Sequence, residues 1–316
     1  MRSACRRVRA EPQVRAAFVL LCLTSLVACG SRGAPEEPAG ELWKAFSGEN
    51  ALKHVQALVD CGPRPPETPE IECARNYIAA QLESFGWRVE RQSFTDQTPR
   101  GQVKFVNLLA TFSKDETAKS VPSFLLCSHY DTKLFTSGRF VGANDGGSSN
   151  GILLEAARVL AQRPQLAAKV QLVFFDGEEA YVNFTETDGL YGSRHFARQL
   201  APEGKQKQFR GGILFDMIGD KSLRVTMPPN SPAQLARGIF AAADALNVRK
   251  HFTYFSGDIM DDHTPLNAIG LPTIDLIDFE YPPWHTLEDT MDKISAESLQ
   301  IVGSVALRYL VADALK

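Results

Sequence analysis

An apolar, strand-favouring run over residues 170–175 stops abruptly at Asp176-Gly177-Glu178-Glu179. Such a run reads as a buried strand, and the turn after it puts two adjacent carboxylates at the strand's carboxyl end, where open α/β sheets keep their ligand crevices. Neighbouring carboxylates repel. The pair Glu178–Glu179 is costly unless a cation neutralises one and a proton sits near the other, which points to a metal ligand beside a general acid/base. An isolated Glu-Glu pair is more often a solvated acidic loop, so the rest of the chain must decide.

The 316 residues are 44% hydrophobic and 22% charged, the proportions of a globular protein with a large core. A net charge of -3 offers no basic face, and nucleic acid is set aside as a partner. Arg2, Arg6, Arg7, Arg9 and Arg15 precede an apolar run over residues 16–28 that has the charge and length of a signal peptide and is short for a membrane span. It ends in Leu26-Val27-Ala28-Cys29-Gly30, which resembles the lipobox of bacterial lipoproteins. The expected organisation is a lipoprotein-type signal peptide over residues 1–28, a lipidated Cys29 with a Pro/Gly/Glu-rich tether over residues 29–40, and one catalytic domain over residues 41–316. The expected location is extracytoplasmic, on the membrane of a bacterial envelope; a plain secretory signal cut near the same place is the alternative.

Of six cysteines, Cys5, Cys22 and Cys29 lie in the export segment. Cys61 and Cys73 flank a proline-rich turn and could close a short disulfide in an oxidising compartment. Cys127, in an apolar strand, reads as a buried small hydrophobe.

Apolar residues at helical spacing predict helices over residues 51–59 and 71–85, the first ended by Gly62-Pro63-Arg64-Pro65-Pro66. Strands are predicted over 88–94, 103–112, 123–130, 170–175, 212–215, 223–227 and 273–277, with helices over 149–162, 192–200, 232–246 and 295–315. Strands alternating with helices predict a single α/β domain: a central mixed, mostly parallel β-sheet flanked by helices.

Four further stretches end strands or open loops in the same manner: Ser128-His129-Tyr130-Asp131, Asn144-Asp145-Gly146-Gly147, Asp216-Met217-Ile218-Gly219 and Trp284-His285-Thr286. In a parallel sheet they converge on one edge, and zinc takes such histidine and carboxylate donors. Each also has an ordinary structural use. His129 could be a satisfied core histidine, Asp145 a helix cap, Asp216 a turn former and His285 a loop residue.

Together with Glu178-Glu179 these stretches resemble the five ligand segments of the zinc aminopeptidase-like family, peptidase family M28, from about Gly62 to the end. Phe174-Phe175-Asp176-Gly177-Glu178-Glu179-Ala180, Asp188-Gly189-Leu190-Tyr191-Gly192-Ser193-Arg194-His195, Asp261-Asp262-His263-Thr264-Pro265 and Trp284-His285-Thr286 are most similar to the glutaminyl-peptide cyclotransferases within it. The resemblance implies one zinc per chain, held by Asp145, Glu179 and His285. It implies catalytic roles for Glu178, the proton shuttle, and for Asp216 and Asp261. His129 and Asp216 match positions that hold a second zinc in the aminopeptidases. Trp284 and Phe184 match pocket walls, with Phe184 standing where animal cyclases usually have tryptophan. Ser128 and Asn150 stand where those enzymes have a disulfide. No metal role is implied for His195, and His54 and His251 are expected to be exposed.

The implied reaction converts the N-terminal glutamine of a peptide or protein to pyroglutamate with release of ammonia. One rival is a two-zinc aminopeptidase using the same ligands. Another is a binding protein on an inactive peptidase fold, against which the retention of every ligand and of Glu178 argues.

Overall fold

The computed structural model describes residues 40–112, 121–202 and 204–316. The signal segment, Cys29 and residues 31–39 of the tether lie outside the described residues. Helix α1 (Gly48–Cys61) is capped by Ser47, whose hydroxyl accepts the Asn50 N–H. Thr68 does the same for α2 (Pro69–Ser84), which opens on proline, where a missing N–H costs nothing. Cys61 and Cys73 are joined as a disulfide between the two helices.

A long hairpin, β1 (Trp87–Thr98) and β2 (Gly101–Phe112), leads to β3 (Phe124–His129). There follow α3 (Ser149–Leu160), the short α4 (Pro164–Ala167), β4 (Val170–Phe175), α5 (Tyr191–Leu200) and β5 (Gly212–Asp216). The chain continues through β6 (Val225–Met227), α6 (Ala233–Ala245), β7 (Phe252–Tyr254), α7 (His263–Ala268), β8 (Thr273–Ile277) and α8 (Ala296–Tyr309). The main sheet has the order β1-β2-β4-β3-β5-β8. β1, β2 and β4 pair antiparallel, and β4, β3, β5 and β8 run parallel.

Side chains alternate across the central strands. Leu126, Leu172, Phe174, Ile213 and Phe215 face a core built with α1, α2, α3, α6 and α8, while Leu125, Cys127, Val173, Phe175 and Leu214 meet Phe196 and Leu200 of α5 and Leu266 of α7. With both faces covered, β3, β4, β5 and β8 are buried almost throughout, which is why they read as mostly apolar runs. Each buried Leu or Phe contributes ~1.5–3 kcal/mol relative to exposure. Cys127 is a free thiol inside this layer.

Three expectations need correction. His54 is buried, because α1 turns it toward α2, where its Nδ1 lies 2.7 Å from the Tyr77 hydroxyl. His251 is half-buried, its Nδ1 3.2 Å from the Leu223 carbonyl. The last helix stops at Tyr309 and widens into a π-helical turn over Leu310–Ala314. β7 and α7, too short to leave a period in the sequence, were not anticipated.

Candidate active site

Because β3, β4, β5 and β8 are parallel and in register, their carboxyl ends form one edge. His129 lies opposite Phe175, and Asp216 opposite Ile277. The chain leaves β4 through Gly177, whose φ of +71° is left-handed and whose space for a side chain is filled by the Phe105 ring, 2.4 Å from where a Cβ would stand. That turn swings Glu178 and Glu179 back over the sheet edge. The Asp145 loop is wholly buried over Ala143–Ser148. His285 and Met217, at φ +52° and +46°, hold left-handed backbone that side chains disfavour by ~1–3 kcal/mol, strain of the kind that gathers at functional sites.

Ligand atoms of Asp145, Glu179 and His285 all lie within 4.8 Å of one another. His285 Nε2 is 3.5 Å from Asp145 Oδ2 and 3.1 Å from Glu179 Oε2, and both oxygens are buried without completing a hydrogen bond. One imidazole nitrogen and two orphaned carboxylate oxygens make a donor set that fits zinc. A second group shares Asp145: His129 Nε2 is 3.3 Å from Asp145 Oδ1 and 3.2 Å from Asp216 Oδ1. Burial opposes charge on His129, but the charge of Asp216, with the Asp131 and Asp145 carboxylates close by, outweighs it and holds the imidazole well above its usual range.

The adjacent glutamates are driven in opposite directions. Burial pushes Glu178 well above the carboxylate range, and Glu179, Asp261 and Asp262 add to the effect against His129. Burial would raise Glu179 too, but the His285 ring, 3.1 Å from its Oε2, with the charge of Lys133, brings it below its ordinary value. Glu178, Asp145, Asp216, Asp261 and His285 line a cavity of about 160 Å³ together with the apolar side chains of Phe184, Met217, Ile277, Phe279 and Trp284. Trp284 stacks on the His285 ring at 4.4 Å. A larger open cleft of about 450 Å³, near Asp96, Arg194 and Arg198, contains none of the sequence-predicted site residues. His195 stacks on Phe94, outside the site.

The sequence reading missed several supports. Asp131 accepts the main-chain N–H groups of Glu178 and Glu179, and Asp289 those of Asn144 and Asp145. The Lys133 N–H donates to Glu179 Oε1, and its ammonium donates to the Ala180 carbonyl. Asn150 and Ser128, which stand where animal cyclases are cross-linked, meet through Asn150 Nδ2 and Ser128 Oγ at 3.4 Å, with Ser149 beside them. Asp289, four residues past His285, carries a signal only in being one more acid in a ligand-bearing loop.

Residues 107–310 match peptidase family M28. A glutaminyl-peptide cyclotransferase of Bos taurus is 32% identical over 291 residues, covering 78% of each chain. The crystal structure of an Acidobacteriales bacterium glutaminyl cyclase superposes with a TM-score of 0.77 at 32% identity, covering 89% of this chain and 97% of that one. A Zn-dependent exopeptidase from Parabacteroides distasonis gives 0.74 at 28% identity, covering 84% and 98%. The chain belongs to peptidase family M28 and, within it, to the glutaminyl-peptide cyclotransferases.

Proposed function

We propose that the protein cyclises the N-terminal glutamine of peptides and proteins to pyroglutamate, releasing ammonia. The observation that carries this reading is the cavity itself: acidic and aromatic side chains together line a space of about 160 Å³, room for a single amino-acid side chain next to Asp145 and His285. Asp145, Glu179 and His285 would hold the zinc, which when bound supplies Lewis-acid polarisation of the glutamine γ-carbonyl.

Phe184 and Trp284 flank the apolar methylenes of the glutamine side chain. Asp216 and Asp261 orient the peptide's α-amine through hydrogen bonds and set it near the γ-carbon, so that ring closure becomes a proximity-assisted step. Glu178 accepts a proton from the attacking nitrogen as the new N–C bond forms. It returns that proton to the departing nitrogen as the old C–N bond breaks, and ammonia leaves. A carboxyl that burial holds toward its protonated form suits the return step.

An aminopeptidase reading shares the ligands, and the second group at His129 and Asp216 is what favours it. Mass spectrometry of zinc-loaded protein with glutamine-initiated and leucine-initiated peptides separates the two. Cyclisation conserves the residue count with loss of one ammonia, whereas hydrolysis shortens the chain. Trimming of the leucine peptide with the glutamine peptide left uncyclised would overturn the proposal. The lipid anchor at Cys29 is part of the same reading, and blocked lipid labelling in Cys29→Ser tests it.

A further inference from the structure

Arg64 carries a completely buried guanidinium, and all five of its side-chain hydrogen bonds go to main-chain carbonyls. Nε donates to Tyr130, next to His129, at 3.0 Å. Nη1 donates to Leu58 and Gly62, at the end of α1, and to Val141 at 2.7 Å; Nη2 donates to Gly142 at 3.1 Å. Arg64 thus ties the end of β3 to the start of the Asp145 loop. Gly142 has a φ of +54°, and a Cβ there would stand 2.4 Å from the Asp145 carbonyl oxygen, so the loop folds tightly back on itself.

The other end of the same loop is held by a carboxyl side chain, Asp289. Asp289 Oδ1 accepts the Asn144 N–H at 2.8 Å and the Tyr281 hydroxyl at 2.9 Å, and Oδ2 accepts the Asp145 N–H at 3.0 Å. A guanidinium therefore takes the carbonyls at the entry of the turn and a carboxyl the N–H groups at its exit. Apart from the Tyr281 hydroxyl, every partner of the two side chains is backbone.

We propose that Arg64 and Asp289 act together as a main-chain clamp that presents the Asp145 carboxylate between its two ligand groups, which makes them positioning residues for metal binding. The proposal rests on the zinc reading of Asp145, Glu179 and His285. Groups that orient metal ligands from behind are commonly worth 10–100-fold in affinity. Lysine cannot reproduce the planar fork that reaches several carbonyls at once, and asparagine offers one acceptor oxygen where Asp289 uses two.

The test measures zinc dissociation constants by chelator competition, and thermal midpoints of the metal-free protein, for wild type, Arg64→Lys, Asp289→Asn and the double variant. Ile239→Ala, in α6, serves as a destabilised control. Arg64→Lys and Asp289→Asn are each expected to raise the zinc dissociation constant about 10-fold or more. Ile239→Ala should stay within about twofold, and the double variant should lose less than the product of the singles, because both residues hold one loop. If Arg64→Lys does not fold, Asp289→Asn carries the same comparison. Variants that bind zinc within about twofold of wild type, or whose losses follow thermal destabilisation as the control does, overturn the clamp alone. A wild type that binds no zinc overturns the metal site and the clamp with it.

Discussion

The Asp131 carboxylate accepts the main-chain N–H of Glu178 at 3.1 Å, and its second oxygen accepts that of Glu179 at 3.3 Å. One buried side chain thereby fixes the backbone of both glutamates while also lying 3.4 Å from His129 Nδ1. In Asp131→Asn only one oxygen remains to accept, and a buried N–H left unpaired costs ~1–3 kcal/mol. A folded protein with a lowered melting midpoint and about 10-fold or greater loss of turnover is expected. Unchanged turnover at an unchanged midpoint would show that this grip is dispensable.

The opposed environments of the two glutamates predict separable losses. Glu179 faces His285 across 3.1 Å, so Glu179→Gln should weaken zinc binding, as should Asp145→Ala and His285→Ala. Glu178→Gln should keep zinc bound and lose turnover by ~100-fold or more, because an amide cannot carry the proton. Equal zinc loss in the two variants, measured by metal analysis after dialysis, would mean the roles are wrongly divided.

The aromatic wall should divide as well. Phe184 lines the cavity without touching a proposed ligand ring, whereas Trp284 stacks on the His285 imidazole. Phe184→Ala is therefore expected to raise KM for glutamine peptides about 10-fold with zinc affinity intact, since it removes apolar contact area. Trp284→Ala should disturb both. Should Phe184→Ala release zinc while leaving KM unchanged, the cavity is not the glutamine pocket.

How much of this was legible in the chain depends on whether a residue's use is local. β4 and β8 were readable to the residue because a strand covered on both faces is a short, mostly apolar run, interrupted only by Gln171 in β4 and by Thr273 and Asp275 in β8, and the acids that follow β4 stand out. The Glu178-Glu179 and Asp216 stretches were found at strand ends, Asp145 in the loop that opens α3 and His285 in the stretch after β8, and family resemblance supplied their roles. The backbone supports were not legible. Arg64 sits in a proline-rich turn that reads as a helix stop, and only the fold brings it to carbonyls at residues 130, 141 and 142. Asp289 looks like a turn former for the same reason. The burial of His54 was missed because its neighbours on α1 set the apolar face, and its partner Tyr77 comes from another helix.

The last prediction concerns acid stability and rests on His263. Its ring is 3% exposed, and its Nδ1 lies 3.5 Å from Asp275 Oδ2 without completing a hydrogen bond. An ionised carboxylate that close would raise an imidazole, yet burial pulls His263 down to about 4. The neighbours explain this. Asp275 is pushed well above its usual range by burial and then by Asp261, Asp261 by burial and then by Asp216, and Asp262 by burial to about 7. Carboxyls that keep their protons cannot hold a cation beside them. Since the folded value lies below the 6.5 of a free imidazole, the stability from keeping His263 neutral is complete above pH 6.5 and is lost as pH falls toward 4, a change of ~3 kcal/mol. The surrounding acids act in the opposite sense, because raised values favour the fold as pH falls, so the wild-type curve alone mixes the two. The difference between wild type and His263→Gln removes the shared part. Denaturant unfolding at pH 8, 6.5, 5 and 4 should show the wild type's advantage shrinking by ~2–3 kcal/mol between the upper and lower ends. A difference that stays constant across that range would show that His263 does not titrate there and that the pocket around it is wetter or more charged than its burial implies.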